Sequence, residues 1–140
     1  MSTQNTETGF FWPVRVYYED TDAGGVVYYA NYLKFFERAR TERLRALGFE
    51  QDAIRTEFGV LFAVRSVRAD YLKPARFNDA LEVSAAMCDL RRASVTFDQA
   101  IYRAGETLCT AQVRIVCLGA GDFRPAPIPD HLLERIKHAL

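Results

Sequence analysis

Val16-Tyr17-Tyr18-Glu19-Asp20-Thr21-Asp22-Ala23-Gly24-Gly25-Val26-Val27-Tyr28-Tyr29-Ala30-Asn31-Tyr32 switches from a strand-like to a helix-like pattern across a short acidic turn. Residues 12–18 alternate, with Trp12, Val14, Val16 and Tyr18 on one face and Arg15 and Tyr17 on the other, which predicts a strand with one buried side. Gly24-Gly25 supplies backbone free to take positive φ. From about Ala30 the period becomes helical. Three carboxylates, Glu19, Asp20 and Asp22, therefore sit in a turn just ahead of a helix N-terminus.

Outward from that stretch, Tyr32, Phe35, Phe36 and Ala39 make one apolar stripe, widened by Leu33, Leu44 and Leu47. The helix runs roughly 18 residues, about 27 Å, and Gly48 is a natural stop. Residues 50–58 read as a short second helix or turn. Val60 to Leu118 reads as strand throughout. Phe62 and Val64 have one parity, and Val67, Ala69 and Tyr71 the other, so a bulge is expected near Arg65-Ser66. Asn78-Asp79 makes a turn, Leu81 to Met87 alternate cleanly, and Ala104-Gly105-Glu106 is a hairpin turn. Cys109, Ala111, Val113, Ile115 and Cys117 point inward. Asp130 is placed to cap a final helix at 131–138. One long helix cannot provide the repeated crossovers of a doubly wound sheet, so the class is α+β, a mainly antiparallel sheet with the helix on one face. Residues 1–10 read as a flexible N-terminal tail and 11–140 as a single domain.

Composition excludes several functions. Eighteen basic residues balance eighteen acidic ones, so net charge makes no case for nucleic acid. Cys88, Cys109 and Cys117 include no Cys-x-x-Cys pair and read as buried thiols of a reducing compartment. No signal peptide or membrane span is expected, which predicts a cytoplasmic protein. His131 and His138, the only histidines, gather no third ligand, so no metal site is expected. No histidine-activated nucleophile, phosphate loop or dinucleotide fingerprint is present. A calcium loop at Asp20 fails because Asn31 stands where a bidentate Glu is required.

The acidic turn admits two readings. Its carboxylates can cap the helix, satisfying orphan N–H groups. Alternatively, one of them can attack or activate water at a carbonyl whose oxygen is polarised by backbone N–H groups at Tyr28 to Asn31. Arg91-Arg92, with Arg65, Arg68, Lys73, Arg76 and Arg124, is either a solvated basic surface or a phosphate-binding cluster.

Arg15 to Tyr28 resembles the signature of the 4-hydroxybenzoyl-CoA thioesterase family. Asn31-Tyr32-Leu33-Lys34-Phe35-Phe36-Glu37-Arg38-Ala39-Arg40-Thr41-Glu42 is similar to its Tol-Pal system-associated branch in Gram-negative bacteria. The similarity continues through Asp70 to Arg76, Arg91 to Ser94 and Phe123-Arg124-Pro125. The resemblance implies a hotdog fold, an antiparallel sheet wrapped around one long central helix, in dimers or tetramers with sites between subunits. It implies hydrolysis of an acyl-CoA thioester with no cofactor. Asp22 falls at the catalytic carboxylate, as nucleophile or general base, and the Tyr29 backbone N–H at the carbonyl-polarising position. Arg91, Arg92 and Arg124 fall at the coenzyme A phosphates, and Tyr28 and Tyr32 beside the acyl group. Many close relatives carry His at the position of Tyr29, so imidazole chemistry is lost there. Rival readings are a thioesterase or binding partner for acyl carrier protein, and a hotdog scaffold without activity.

Overall fold

The computed structural model describes residues 9–140; most of the tail expected at 1–10 lies outside the described residues. In chain order the elements are β1 (Phe11–Arg15), a 3-10 turn (Tyr18–Asp20), α1 (Tyr29–Ala46), α2 (Gln51–Phe58), β2 (Val60–Tyr71), β3 (Ala80–Ser84), β4 (Ala86–Cys88), β5 (Ser94–Arg103), β6 (Glu106–Gly119) and α3 (Asp130–Ala139). The strands form one sheet in the order β1-β3-β5-β6-β2, with β4 also on β5, and every ladder is antiparallel. This is the α+β class expected. Among the described residues the α-helices number three, of 18, 8 and 10 residues, the long one joined by two short ones. None of them is long and apolar enough to cross a membrane.

The apolar stripe of α1 does what its spacing predicts. Tyr32, Phe35, Phe36, Ala39 and Leu44 are buried against Leu81, Val83, Phe97, Ile101 and Val113 of the sheet. Each large side chain so buried contributes roughly 1.5–3 kcal/mol. A polar pin crosses the same interface. Arg40 donates to Gln99 Oε1 at 3.0 Å, and Gln99 Nε2 donates to the carbonyls of Phe36 and Ser84, both at 3.1 Å. Burial pushes the Arg40 guanidinium below its usual range. The Arg43 Nε is buried without a hydrogen-bond partner, but its guanidinium lies 5.4 Å from the Phe10 ring centroid, a cation–π arrangement.

The bulge of β2 falls between Val64 and Ser66, where the parity change in sequence put it. The β5–β6 turn carries Ala104 at φ 49° and Gly105 at φ 83°, the two left-handed residues that a type I′ hairpin requires. Two boundaries differ from expectation. β1 ends at Arg15, and Tyr18 is 79% exposed in the 3-10 turn rather than on the buried face. Beyond Arg15 the backbone of Val16 pairs with the Asn78–Asp79 turn, so the strand runs out of ladder partners before it runs out of alternating residues. Asp130 is the first helical residue of α3 instead of its cap, a place held by Pro129.

Candidate active site

The acidic turn is a small closed hairpin. Thr21 bridges Val27, the Asp22 N–H donates to the Val26 carbonyl at 2.9 Å, and the Gly25 N–H donates to the Asp22 carbonyl at 3.0 Å. Gly25 sits at φ 81°, which a residue with a Cβ would take only under strain. Inside this hairpin the three carboxylates separate. Asp20 is only 8% exposed; its Oδ2 accepts the Tyr17 N–H at 2.8 Å, and its carbonyl accepts from the Tyr28 N–H (3.0 Å) and Asn31 Nδ2 (2.9 Å). Asp20 thus ties the turn to the helix start, the structural role anticipated for the group as a whole. Glu19 is exposed. Asp22 is exposed too, but one of its oxygens is oriented: Oδ1 accepts the Gly24 N–H at 2.8 Å. A Cβ at Gly24 would come within 3.2 Å of that same oxygen, so Gly24 gives the carboxylate its room.

The helix begins beside this turn. Tyr28 is the N-cap residue of α1 and Tyr29 its first helical residue. The Tyr28 N–H is spent on Asp20 and the Asn31 N–H on the Tyr28 carbonyl at 2.8 Å. The N–H groups of Tyr29 and Ala30 take no backbone acceptor among the described residues, as first-turn amides generally do not. The rings of Tyr28 and Tyr29 lie 4.9 Å apart, and Tyr29 meets Tyr71 edge-on at 6.0 Å. An exposed carboxylate and unspent helix-start amides on one short hairpin can together handle a carbonyl electrophile and the charge that develops on its oxygen.

The loop Lys73–Asp79 braces all of this. The Val27 N–H donates to the Ala75 carbonyl at 2.8 Å, and the Ala75 N–H donates to the Tyr32 hydroxyl at 2.9 Å. Tyr32 is 4% exposed, tilted on Tyr71 at 5.4 Å and edge-on to Phe35 at 6.3 Å. Its ring packs in the core and its hydroxyl serves the brace; a place beside the acyl group is part of the proposed function. Burial raises its phenol above the usual range. Behind the loop, Arg103 donates to Asp79 Oδ2 at 2.8 Å and to Glu106 Oε1 at 3.1 Å, and Lys73 pairs with Glu106. Burial alone would push the Asp79 carboxyl up. The hydrogen bonds from Arg103 and the Arg76 N–H outweigh it and hold the group below the usual carboxylate range. Periodicity and motif gave no sign of this brace. The only available signal was a string of turn-forming residues, Pro74 and Asn78-Asp79.

The arginines lie elsewhere. Arg91 pairs with Asp89 at 3.2 Å, and Asp89 is shared with Arg114 at 3.0 Å. Arg92 and Arg124 are exposed and make no ion pair among the described residues. Their loops meet at the far end of β6: the Cys117 N–H donates to the Ala93 carbonyl, the Ile128 N–H to the Arg92 carbonyl, and the Gly119 N–H to the Arg124 carbonyl. Tyr71, beside Tyr29, pairs instead with Cys109 at the start of β6. From Cys109 to Cys117 is about 26 Å of extended strand. One chain therefore brings Asp22, Tyr28, Tyr29 and Tyr32 to one end of the sheet, and Arg91, Arg92 and Arg124 to the other. A cavity of about 640 Å³, lined by Phe11, Arg68, Asp98, Tyr102 and Gln112 among others, holds none of these residues.

Residues 16–136 match the sequence model of the thioesterase-like superfamily. The chain is 42% identical over 132 residues to the acyl-CoA thioesterase YbgC of Haemophilus influenzae, covering 94% of this chain and 97% of that protein. It is 46% identical over 131 residues to the acyl-CoA thioester hydrolase YbgC of Escherichia coli, covering 93% and 97%. Among solved structures, a probable thioesterase from Bartonella henselae superposes with a TM-score of 0.82 at 34% identity, covering 85% of this chain and 98% of that one.

Proposed function

We propose that this chain, which belongs to the thioesterase-like superfamily, is an acyl-CoA thioester hydrolase that releases a free acid and coenzyme A. The observation that carries this reading is the hairpin in which Asp22, oriented by the Gly24 N–H, stands beside the unspent amides that begin α1. Relatives of 42% and 46% identity over nearly the whole chain bear the corresponding activity in their names.

In the proposed reaction the thioester carbonyl oxygen lies toward the Tyr29 N–H, which stabilises negative charge as it grows there. Asp22 acts in one of two ways. As a nucleophile it adds to the carbonyl carbon and expels the coenzyme A thiolate, leaving a mixed anhydride that water opens. As a general base it takes a proton from water while the hydroxyl adds, and the C–S bond then breaks. Borohydride trapping during turnover separates the two, because only the anhydride converts Asp22 to homoserine. Both routes use the backbone of Tyr29, so the absence of an imidazole at that position does not disable them.

Residues 11–140 are read as one hotdog domain of the 4-hydroxybenzoyl-CoA type, its sheet curved around α1, in the Tol-Pal-associated branch and in the cytoplasm. The placement of Asp22 and the arginines at opposite ends of β6, whose run from Cys109 to Cys117 spans roughly 26 Å at about 3.3 Å per residue, supports a site completed by a second copy. β2 supplies a surface for that copy: among the described residues it pairs only with β6, and it exposes Val64, Val67 and Tyr71 along its length. Arg91, Arg92 and Arg124 of one subunit are then proposed to take the coenzyme A phosphates of a thioester seated at Asp22 of another, with Tyr28 and Tyr32 beside its acyl group. Acyl carrier protein, whose acidic surface would dock on the same arginines, is the rival thioester donor.

The test is a panel of acyl-CoA and acyl-carrier thioesters offered to the wild type and to Asp22→Asn. Turnover of acyl-CoA that disappears in the variant is the expected result. No turnover of any member, or undiminished turnover in Asp22→Asn, would leave an inert scaffold as the better description.

A further inference from the structure

Gly119 to Arg124 forms a tight hairpin at the far end of β6. The Phe123 N–H donates to the Gly119 carbonyl and the Gly119 N–H to the Arg124 carbonyl, both at 2.9 Å; the Arg124 N–H donates to Asp122 Oδ1 at 3.0 Å. A Cβ at Gly119 would lie 2.6 Å from that Asp122 oxygen, so the Asp122 side chain would have to move. At the tip Phe123 stands at φ 57°, in the left-handed region that an aromatic residue takes only at a cost. The ring is 64% exposed and stacks on no other aromatic group among the described residues. Glycine would close this hairpin more easily and asparagine would tolerate it, so the packing of this chain gives no reason for a phenyl ring. Two exposed arginines belong to the same strand end. Arg124 is the next residue, and Arg92 is tied to the same strand end through Ile128; neither has an ion-pair partner among the described residues. The nearest acid, Asp122, already has one oxygen engaged by the Arg124 N–H.

We propose that Phe123 is a stacking platform for the adenine of coenzyme A, with Arg92 and Arg124 beside it on the phosphates. An exposed aromatic face next to unpaired guanidinium groups suits a purine nucleotide, which offers a π face and anionic oxygens a few ångströms away. The assignment rests on the acyl-CoA reading above and adds to it a residue that recognises the nucleotide rather than the thioester.

The test is calorimetric titration of adenosine 3′,5′-bisphosphate into the wild type, Phe123→Gly and Phe123→Trp, with kinetics on an acyl-CoA and the matching acyl-pantetheine. Phe123→Gly removes the ring while suiting the backbone, so it should fold. It is expected to weaken the nucleotide about tenfold, the order of one lost base stack, and Phe123→Trp to retain it. The preference for acyl-CoA over acyl-pantetheine should fall by a similar factor. Unchanged nucleotide affinity in Phe123→Gly overturns the platform even if thioester turnover is normal. Equal losses on both thioesters together with a changed oligomeric state also overturn it, and make the ring a subunit contact. Nucleotide binding that depends on Phe123 without any thioester turnover supports the platform while refuting the hydrolase.

Discussion

The two ends of β6 are built on opposite principles. At its start, the Asp22 hairpin is held by backbone bonds to Ala75, by the Tyr32 hydroxyl and by the Lys73, Asp79, Arg103 and Glu106 charge cluster. At its finish, Arg92, Phe123 and Arg124 stand in water with little to hold their side chains. On the proposed assignment, the difference is what chemistry and recognition each require. Acting on a carbonyl needs groups fixed to within a fraction of an ångström, which the internal polar partners at the Asp22 end would supply. Holding a charged, flexible nucleotide needs unspent donors, which the exposed arginines at the other end would supply.

That contrast can be broken at several points. The largest expected effect is that of Asp22→Ala, which should cut kcat by a factor of order 10² or more. Because Asp22 makes only hairpin-local bonds, its melting temperature should stay near wild type; a joint collapse of melting curve and activity would make Asp22 another brace like Asp20. Next is the open end. Arg91→Ala with Arg92→Ala should raise KM for coenzyme A esters by about tenfold with a smaller change in kcat, as lost charge-assisted contacts to a non-reacting part do. A fall in kcat at constant KM would mean that these arginines serve the chemical end after all.

Smaller effects probe the brace. Tyr32→Phe strips the acceptor from the buried Ala75 N–H and should cost about 1–3 kcal/mol in denaturant unfolding. No change in the unfolding midpoint would mean that the hairpin is not held through this contact. The smallest concerns acid. The Asp79 carboxyl is held below its unfolded value in the folded state, so its contribution is present at neutral pH and lost as pH falls through the folded value. Unfolding midpoints of wild type and Asp79→Asn should therefore converge in the acid range below about pH 4; a constant gap down to pH 2 would place the stabilisation elsewhere.

Much of this was legible in the residues, unevenly. The parity break at Val64 to Val67 located a bulge, because a period of two cannot be crossed any other way. The stripe from Tyr32 to Ala39 located the helix and its buried side. The three acids of the turn were not separable by type or spacing. What separates Asp20 from Asp22 is which of them faces the Tyr17 and Tyr28 amides, and that depends on where the chain leaves β1, three residues earlier than its alternation suggested. Tyr32 shows the same limit. An amphipathic ring on a buried stripe reads as lining or as core, and only the approach of Ala75, distant in sequence, assigns its hydroxyl. The separation of Asp22 from the arginines was hidden for a related reason. Sequence order says nothing about which end of a long strand each loop reaches.

The tie between Val27 and Ala75 also bears on the order of assembly. The β5–β6 hairpin closes through the two-residue turn Ala104-Gly105, a local event with little loop entropy to overcome, whereas the Asp22 hairpin finds its support only across a long intervening chain that includes α1, α2 and β2. The hairpin carrying Asp22 should therefore be among the last parts to acquire native contacts during refolding. Refolding kinetics should show Val113→Ala slowing folding, and Val27→Ala mainly hastening unfolding; the reverse pattern would make the acidic hairpin a nucleus. If the order holds, the chain has a nearly complete sheet before it has a reactive centre, and unfinished molecules carry the scaffold without the activity.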